Sequence, residues 1–144
     1  MVMEELDSLY REVILEHFKN SKHAGRLPAP TLTATGQNPL CGDEMVFDLA
    51  VDGGRISAVR FDGKGCVISQ AAASMLSQQL EGKTPAQART LVNAMKAMMQ
   101  GKDPDPSVDV GDLEALSGVR KFPVRVKCAA LSWNVVEQAL NKGV

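Results

Sequence analysis

The sequence predicts an α+β domain in which a small antiparallel sheet has helices packed on one side. Two observations predict it. Partly alternating apolar residues flank Asp52-Gly53-Gly54, a tight-turn signal that marks a β-hairpin. On both sides of that hairpin, apolar residues recur at the three- and four-residue steps of helices. With 144 residues the chain is expected to be one domain over 1–144. A domain of that length buries roughly two-thirds of its unfolded surface and needs no disulfides.

The first segment reads as a helix, with Leu6, Leu9, Tyr10, Val13, Ile14 and Phe18 on its apolar face. Gly25, Pro28, Pro30 and Gly36 make Asn20 to Gln37 a loop, its end from Thr31 extended. Pro39-Leu40-Cys41-Gly42-Asp43 is a turn leading to a strand over Met45 to Val51. Ile56, Val59 and Phe61 belong to the returning strand, and Gly63-Lys64-Gly65 is expected to break the sheet. Cys66 opens a helix over Val67 to Leu80, where Ala71, Ala72 and Ala73 allow a close neighbour, and Gly82 follows its end. Thr84-Pro85 starts another helix, threonine suiting the N-cap and proline the first turn. Its expected buried face is Leu91, Val92, Met95, Met98 and Met99. Gly101 to Ser107 is a charged loop. Asp109 to Leu116 reads as a short helix ended by Gly118. After Pro123, a last helix over Val124 to Leu140 presents Val126, Leu131, Val135, Val136 and Leu140.

A formal charge of −1 argues against a nucleic-acid binder, because no excess of Lys and Arg is available for phosphates. No stretch approaches the ~20 apolar residues of a membrane span. Met1-Val2-Met3-Glu4-Glu5-Leu6 lacks a basic region followed by an apolar run, so a cytoplasmic location is expected. In a reducing compartment, three cysteines point to metal or catalysis rather than to bridges.

Those cysteines are Cys41, followed by Gly42-Asp43; Cys66, after Gly63-Lys64-Gly65; and Cys128, after Arg125-Val126-Lys127. Three thiolates and the Asp43 carboxylate would complete a tetrahedral zinc site. Any one cysteine alone is more often a small buried hydrophobe. Cys66 at a helix N-terminus, and Cys128 near another beside two cations, are however placed to favour thiolates. His17 is expected to pack or face solvent and His23 to be solvated, neither as a ligand. Met95, Met98 and Met99 read as core filler. Gly63 to Gly65 lacks the phosphate-loop pattern and reads as room for the backbone around a metal.

Four stretches together resemble the SufU branch of the IscU/SufU/NifU-like iron–sulfur cluster assembly family. They are Leu9-Tyr10-Arg11-Glu12-Val13-Ile14-Leu15-Glu16-His17-Phe18, Asn38-Pro39-Leu40-Cys41-Gly42-Asp43, Gly63-Lys64-Gly65-Cys66-Val67-Ile68-Ser69 and Arg125-Val126-Lys127-Cys128-Ala129. The resemblance implies an IscU/SufU-like fold with Cys41, Asp43, Cys66 and Cys128 converging on one exposed metal site. IscU-like scaffolds usually carry histidine before the third cysteine, where this chain has Lys127. The SufU branch carries an insertion between the second and third cysteines, matched here by Gly101 to Arg120. That branch implies a tightly held zinc and a zinc-dependent sulfurtransferase taking persulfide sulfur from a SufS-like cysteine desulfurase.

On this reading Cys41 is the sulfur acceptor, since a turn moves more readily than a helix start, and Asp43 assists it. Arg125 and Lys127 would attract a partner's carboxylates. Two rivals stand beside it. One is a scaffold carrying a transient iron–sulfur cluster to other assembly proteins or apo-proteins. The other is a non-enzymatic domain with structural zinc.

Overall fold

The computed structural model describes residues 8–38, 42–102 and 107–142. A helix α1 (Ser8–Lys19) leads through a loop to three strands, β1 (Leu32–Asn38), β2 (Asp43–Asp52) and β3 (Arg55–Lys64). Helices α2 (Val67–Leu80) and α3 (Pro85–Met99) follow, then a 3-10 helix (Gly111–Lys121) and α4 (Pro123–Leu140). The strands form one antiparallel sheet in the order β1-β2-β3. Asp52 pairs with Arg55 across Gly53 (φ 59°) and Gly54 (φ 78°). Two successive left-handed residues make the type I′ turn that matches strand twist.

Side chains alternate along strands, so the register fixes what faces the helices. Leu32, Ala34, Gly36 and Asn38 on β1 pair with Leu49, Phe47, Met45 and Asp43 on β2. Met45, Phe47 and Leu49 pair in turn with Gly63, Phe61 and Val59. The larger side chains of this face are buried, with the Phe47 and Phe61 rings 6.1 Å apart. Helix α4 lies over β1 and β2 and α2 over β3. A Cβ at Gly36 would lie 2.6 Å from Val135 Cγ2, so glycine there admits α4 to its closest approach. Asn38 and Asp43 end the buried row, which carries a carboxylate into the interior at one edge of the sheet.

On the other face, Asp48 is also fully buried. Arg26 Nε and Nη2 donate to it at 2.7 and 3.2 Å, the Leu27 N–H at 3.1 Å and the Thr33 hydroxyl at 2.7 Å. Burial pushes its pKa up, but the Arg26 and Thr33 hydrogen bonds, the Leu27 N–H and the Arg26 charge outweigh that, and the net shift is downward. A carboxylate lowered on folding stabilises the native state above its unfolded value. That stability is lost as pH falls through the lower folded value. Acid unfolding followed by circular dichroism is therefore expected to flatten below about pH 4 in Asp48→Asn. The variant should also lose about 2 kcal/mol near neutrality, the scale of charged hydrogen bonds.

Thr84 caps α3 with a reciprocal pair. The Gln87 N–H donates to Thr84 Oγ1 at 3.2 Å, and the Thr84 N–H to Gln87 Oε1 at 3.0 Å. This confirms the helix start read from Thr84-Pro85.

Several local expectations are corrected. Gly63 does not break the sheet, since β3 runs to Lys64 and Gly63 pairs with Met45 at φ 151°. Gly118 ends no helix but lies within the 3-10 helix, which extends to Lys121. Phe18 is 42% exposed rather than part of the buried face of α1; Ile14 is buried there and Val13 partly so. Met99 is only partly buried, and so is Val126. Leu6 and the side chains of Leu9 and Tyr10 lie outside the described residues. His23 is not solvated: its Nε2 lies 2.6 Å from Glu81 Oε1, and its carbonyl accepts the Phe61 N–H at 3.0 Å. His17 does pack, with Nδ1 2.8 Å from Ser74 Oγ and Nε2 2.8 Å from Asp112 Oδ2. It thereby ties α1 to α2 and to the 3-10 helix.

Candidate metal centre

The end of the buried strand row meets the starts of two helices. Asp43, the first residue of β2, is 1% exposed. Cys66 is the N-cap of α2, and its N–H donates to Asp43 Oδ1 at 3.2 Å. Its own carbonyl accepts the first α2 bond, from Gln70, and the Ser69 hydroxyl at 3.0 Å. Cys128, sixth residue of α4 and fully buried, enters from the other side. It lies deeper than the helix start expected from the sequence. Asn38 Nδ2 and Arg125 Nη1 each approach its sulfur at 4.0 Å.

A carboxylate oxygen of Asp43 and the Sγ atoms of Cys66 and Cys128 all lie within 4.8 Å of one another. Donors bound tetrahedrally at about 2.3 Å sit roughly 3.8 Å apart, so small side-chain shifts bring these three around one ion. Asp43 Oδ2 is buried and has no hydrogen-bond partner among the described residues. Leaving a buried carboxylate oxygen bare costs of order 1–3 kcal/mol or more. A cation beside it would remove that cost. The donor set of two sulfurs and one oxygen fits zinc.

Arg125, one helical turn before Cys128, sits half-buried with its guanidinium beside both sulfurs. Burial lowers its pKa, while the charges and hydrogen bonds of Cys66 and Cys128 raise it, and the net shift is upward. The two residues read as partner-docking cations therefore part company, because Arg125 faces the sulfurs while Lys127 is exposed. Asn38 went unrecognised as a neighbour of Cys128. Its signal was period-two alternation, which places it in the same row as Ala34 and opposite Asp43.

Of the four residues read as ligands, the structure brings together Asp43, Cys66 and Cys128; Cys41 lies outside the described residues. Gly42 follows it at φ 70°, a left-handed turn that hands the chain to Asp43. Neither histidine joins the cluster, and among the described residues no helix is long and apolar enough to cross a membrane.

Known proteins resemble the chain along most of its length. It is 44% identical over 137 residues to a protein of Bacillus subtilis (strain 168) described as zinc-dependent sulfurtransferase SufU, covering 95% of this chain and 92% of the relative. It is 34% identical over 142 residues to the iron–sulfur cluster assembly scaffold protein IscU of Streptococcus pyogenes serotype M1, covering 99% and 89%. The fold is similar to a crystal structure from Fervidobacterium islandicum AW-1, described as a putative iron–sulfur cluster assembly scaffold protein for the SUF system. The TM-score there is 0.85 at 36% identity, covering 90% of this chain and 94% of that one. Residues 9–142 match the family described as NifU-like N terminal domain, and the chain belongs to that family.

Proposed function

We propose that this chain is a zinc-dependent sulfur acceptor, taking sulfane sulfur from a cysteine desulfurase for iron–sulfur cluster assembly. Its metal ligands on this reading are Cys41, Asp43, Cys66 and Cys128. The observation that carries it is the cluster of the buried Asp43 carboxylate with two cysteines, its Oδ2 without a hydrogen-bond partner among the described residues. The Bacillus relative described as a zinc-dependent sulfurtransferase supports the same reading.

Zinc, when bound, keeps its thiol ligands deprotonated at neutral pH and ties their geometry to the fold. The chain's own residues do the rest. Arg125 places its guanidinium beside the sulfurs of Cys66 and Cys128. Asp43 is fixed by the Cys66 N–H. Cys41 supplies the nucleophile, as a thiolate attacking the outer sulfur of the desulfurase persulfide. A new S–S bond forms to Cys41, the S–S bond of the desulfurase breaks, and its cysteine leaves as a thiolate that takes up a proton. The exchange is redox-neutral, and its rate follows thiolate fraction and access.

A second reading, a scaffold for a labile iron–sulfur cluster, has the IscU-named relatives in its favour. Lys127 stands where those scaffolds usually place histidine, which favours the sulfur-acceptor reading. Desulfurase turnover with this protein, zinc added or withheld, tests the proposal. Turnover is expected to rise with the zinc-loaded protein and to stay at baseline with the stripped one. Iron and sulfide retained after purification without oxygen, with no rise in turnover, would favour the scaffold. Bound zinc with neither effect would leave a structural metal.

Asp43→Ala separates binding from transfer. One carboxylate is the hardest ligand of the set, so the variant is expected to keep zinc through its thiolates, about 10–100-fold more weakly, while transfer slows. Wild-type transfer rates in that variant would remove Asp43 from the mechanism.

A further inference from the structure

Two glycines precede Cys66, and the structure gives them different work. Gly63 is at φ 151°, and a Cβ there would overlap the Glu44 carbonyl oxygen of the neighbouring strand. Backbone cannot yield, so Gly63 serves the sheet. Gly65 is not among the residues with positive φ, so a left-handed backbone is not what calls for glycine there. What excludes a side chain there is space. A Cβ at Gly65 would lie 2.7 Å from Asp43 Oδ1 and 2.9 Å from Asp43 Cγ, and would overlap Ser69 Oγ.

Asp43 has no easy retreat from such a Cβ. It is buried, and its Oδ1 is held by the Cys66 N–H one residue beyond Gly65. Turning the carboxylate away would break that bond and disturb the cluster it makes with Cys66 and Cys128. We infer that Gly65 is a positioning residue for the metal, its missing side chain holding the Asp43 carboxylate where one oxygen meets Cys66 and the other meets the ion. This rests on the proposal that Asp43 is a ligand. Ser69 shapes the same wall, and its hydroxyl is already committed to the Cys66 carbonyl at 3.0 Å.

The test is a double-mutant cycle on the full chain, reading zinc affinity by competition with a chelator. Gly65→Ala is expected to weaken zinc about 10–100-fold, the usual effect of disturbing the groups that orient a ligand. In an Asp43→Ala background the same change should cost almost nothing further, because the carboxylate it displaces is gone. Wild-type affinity in Gly65→Ala, or losses that simply add in the double variant, would overturn the inference.

Ser69→Ala removes the hydroxyl that the new Cβ overlaps. Gly65→Ala/Ser69→Ala should therefore fold, by circular dichroism, and still bind zinc weakly. If its affinity returned to that of Ser69→Ala, the hydroxyl and not the carboxylate would be what Gly65 protects, and the inference would fail. Failure to fold in both backgrounds would assign Gly65 to the fold, also against it. Unchanged zinc affinity in Asp43→Ala itself would instead defeat the ligand reading on which the inference stands.

Discussion

Cys66→Ala and Cys128→Ala are each expected to release the metal and to lose most of the stability it supplies. Zinc binds the folded arrangement of ligands and little else, so its affinity appears as folding free energy. At a thousandfold excess over its dissociation constant, a ligand stabilises by about 4 kcal/mol. Truncating one cysteine in the core costs only about 1 kcal/mol in packing, so the metal contribution dominates. The two variants should differ once the metal is removed. Cys128 is fully buried within the core, whereas Cys66 is half-buried at its margin. Metal-free Cys128→Ala should therefore melt lower than metal-free Cys66→Ala. Elemental analysis and thermal melts with and without chelator check this. Full zinc occupancy in both variants would defeat the ligand set.

Cys41→Ser is expected to abolish stimulation of the desulfurase and leave the fold intact. A serine hydroxyl at neutral pH provides no nucleophile comparable to a thiolate, so the effect should be near-complete loss rather than slowing. Cys41 precedes Gly42 at φ 70°, a turn between two strands. Cys66 and Cys128 instead sit on helices packed against the sheet and each other. That packing suits anchorage by these two thiols. The circular dichroism spectrum and metal-free melting point of Cys41→Ser should match wild type. Undiminished stimulation by the variant would move the acceptor role to another cysteine.

Features written into a few neighbouring residues were legible in the sequence. The Asp52-Gly53-Gly54 turn and the Thr84-Pro85 helix start are of this kind, because their hydrogen bonds close within a few residues. Features decided by distant partners were not. His23 finds Glu81, 58 positions away. The 3-10 helix runs past Gly118 because it is packed against α1, α2, α3 and α4. Tertiary contact, not local propensity, carries it through a glycine, over a length unusual for 3-10 geometry. Gly63 looked like a break because sequence cannot show that the facing Glu44 carbonyl leaves no room for a Cβ.

The donors Asp43, Cys66 and Cys128 were named from residue chemistry and family resemblance, and the structure does place them together. Arg125 was noticed for its charge beside Cys128. Its spacing of three from Cys128 on a helix already placed both on one face. The bare Oδ2 of Asp43 had no sequence signal, because it follows from burial of a row that begins two residues before the apolar alternation is visible.

The central claim is that sulfur passes from a desulfurase persulfide to Cys41 of this chain. Its most direct test is mass spectrometry of the zinc-loaded protein after incubation with desulfurase and cysteine, alkylated and digested to separate the three cysteine peptides. One additional sulfur is expected on the peptide containing Cys41, absent when cysteine is omitted. Additional sulfur only on the Cys66 or Cys128 peptide, or on none of the three, would contradict it.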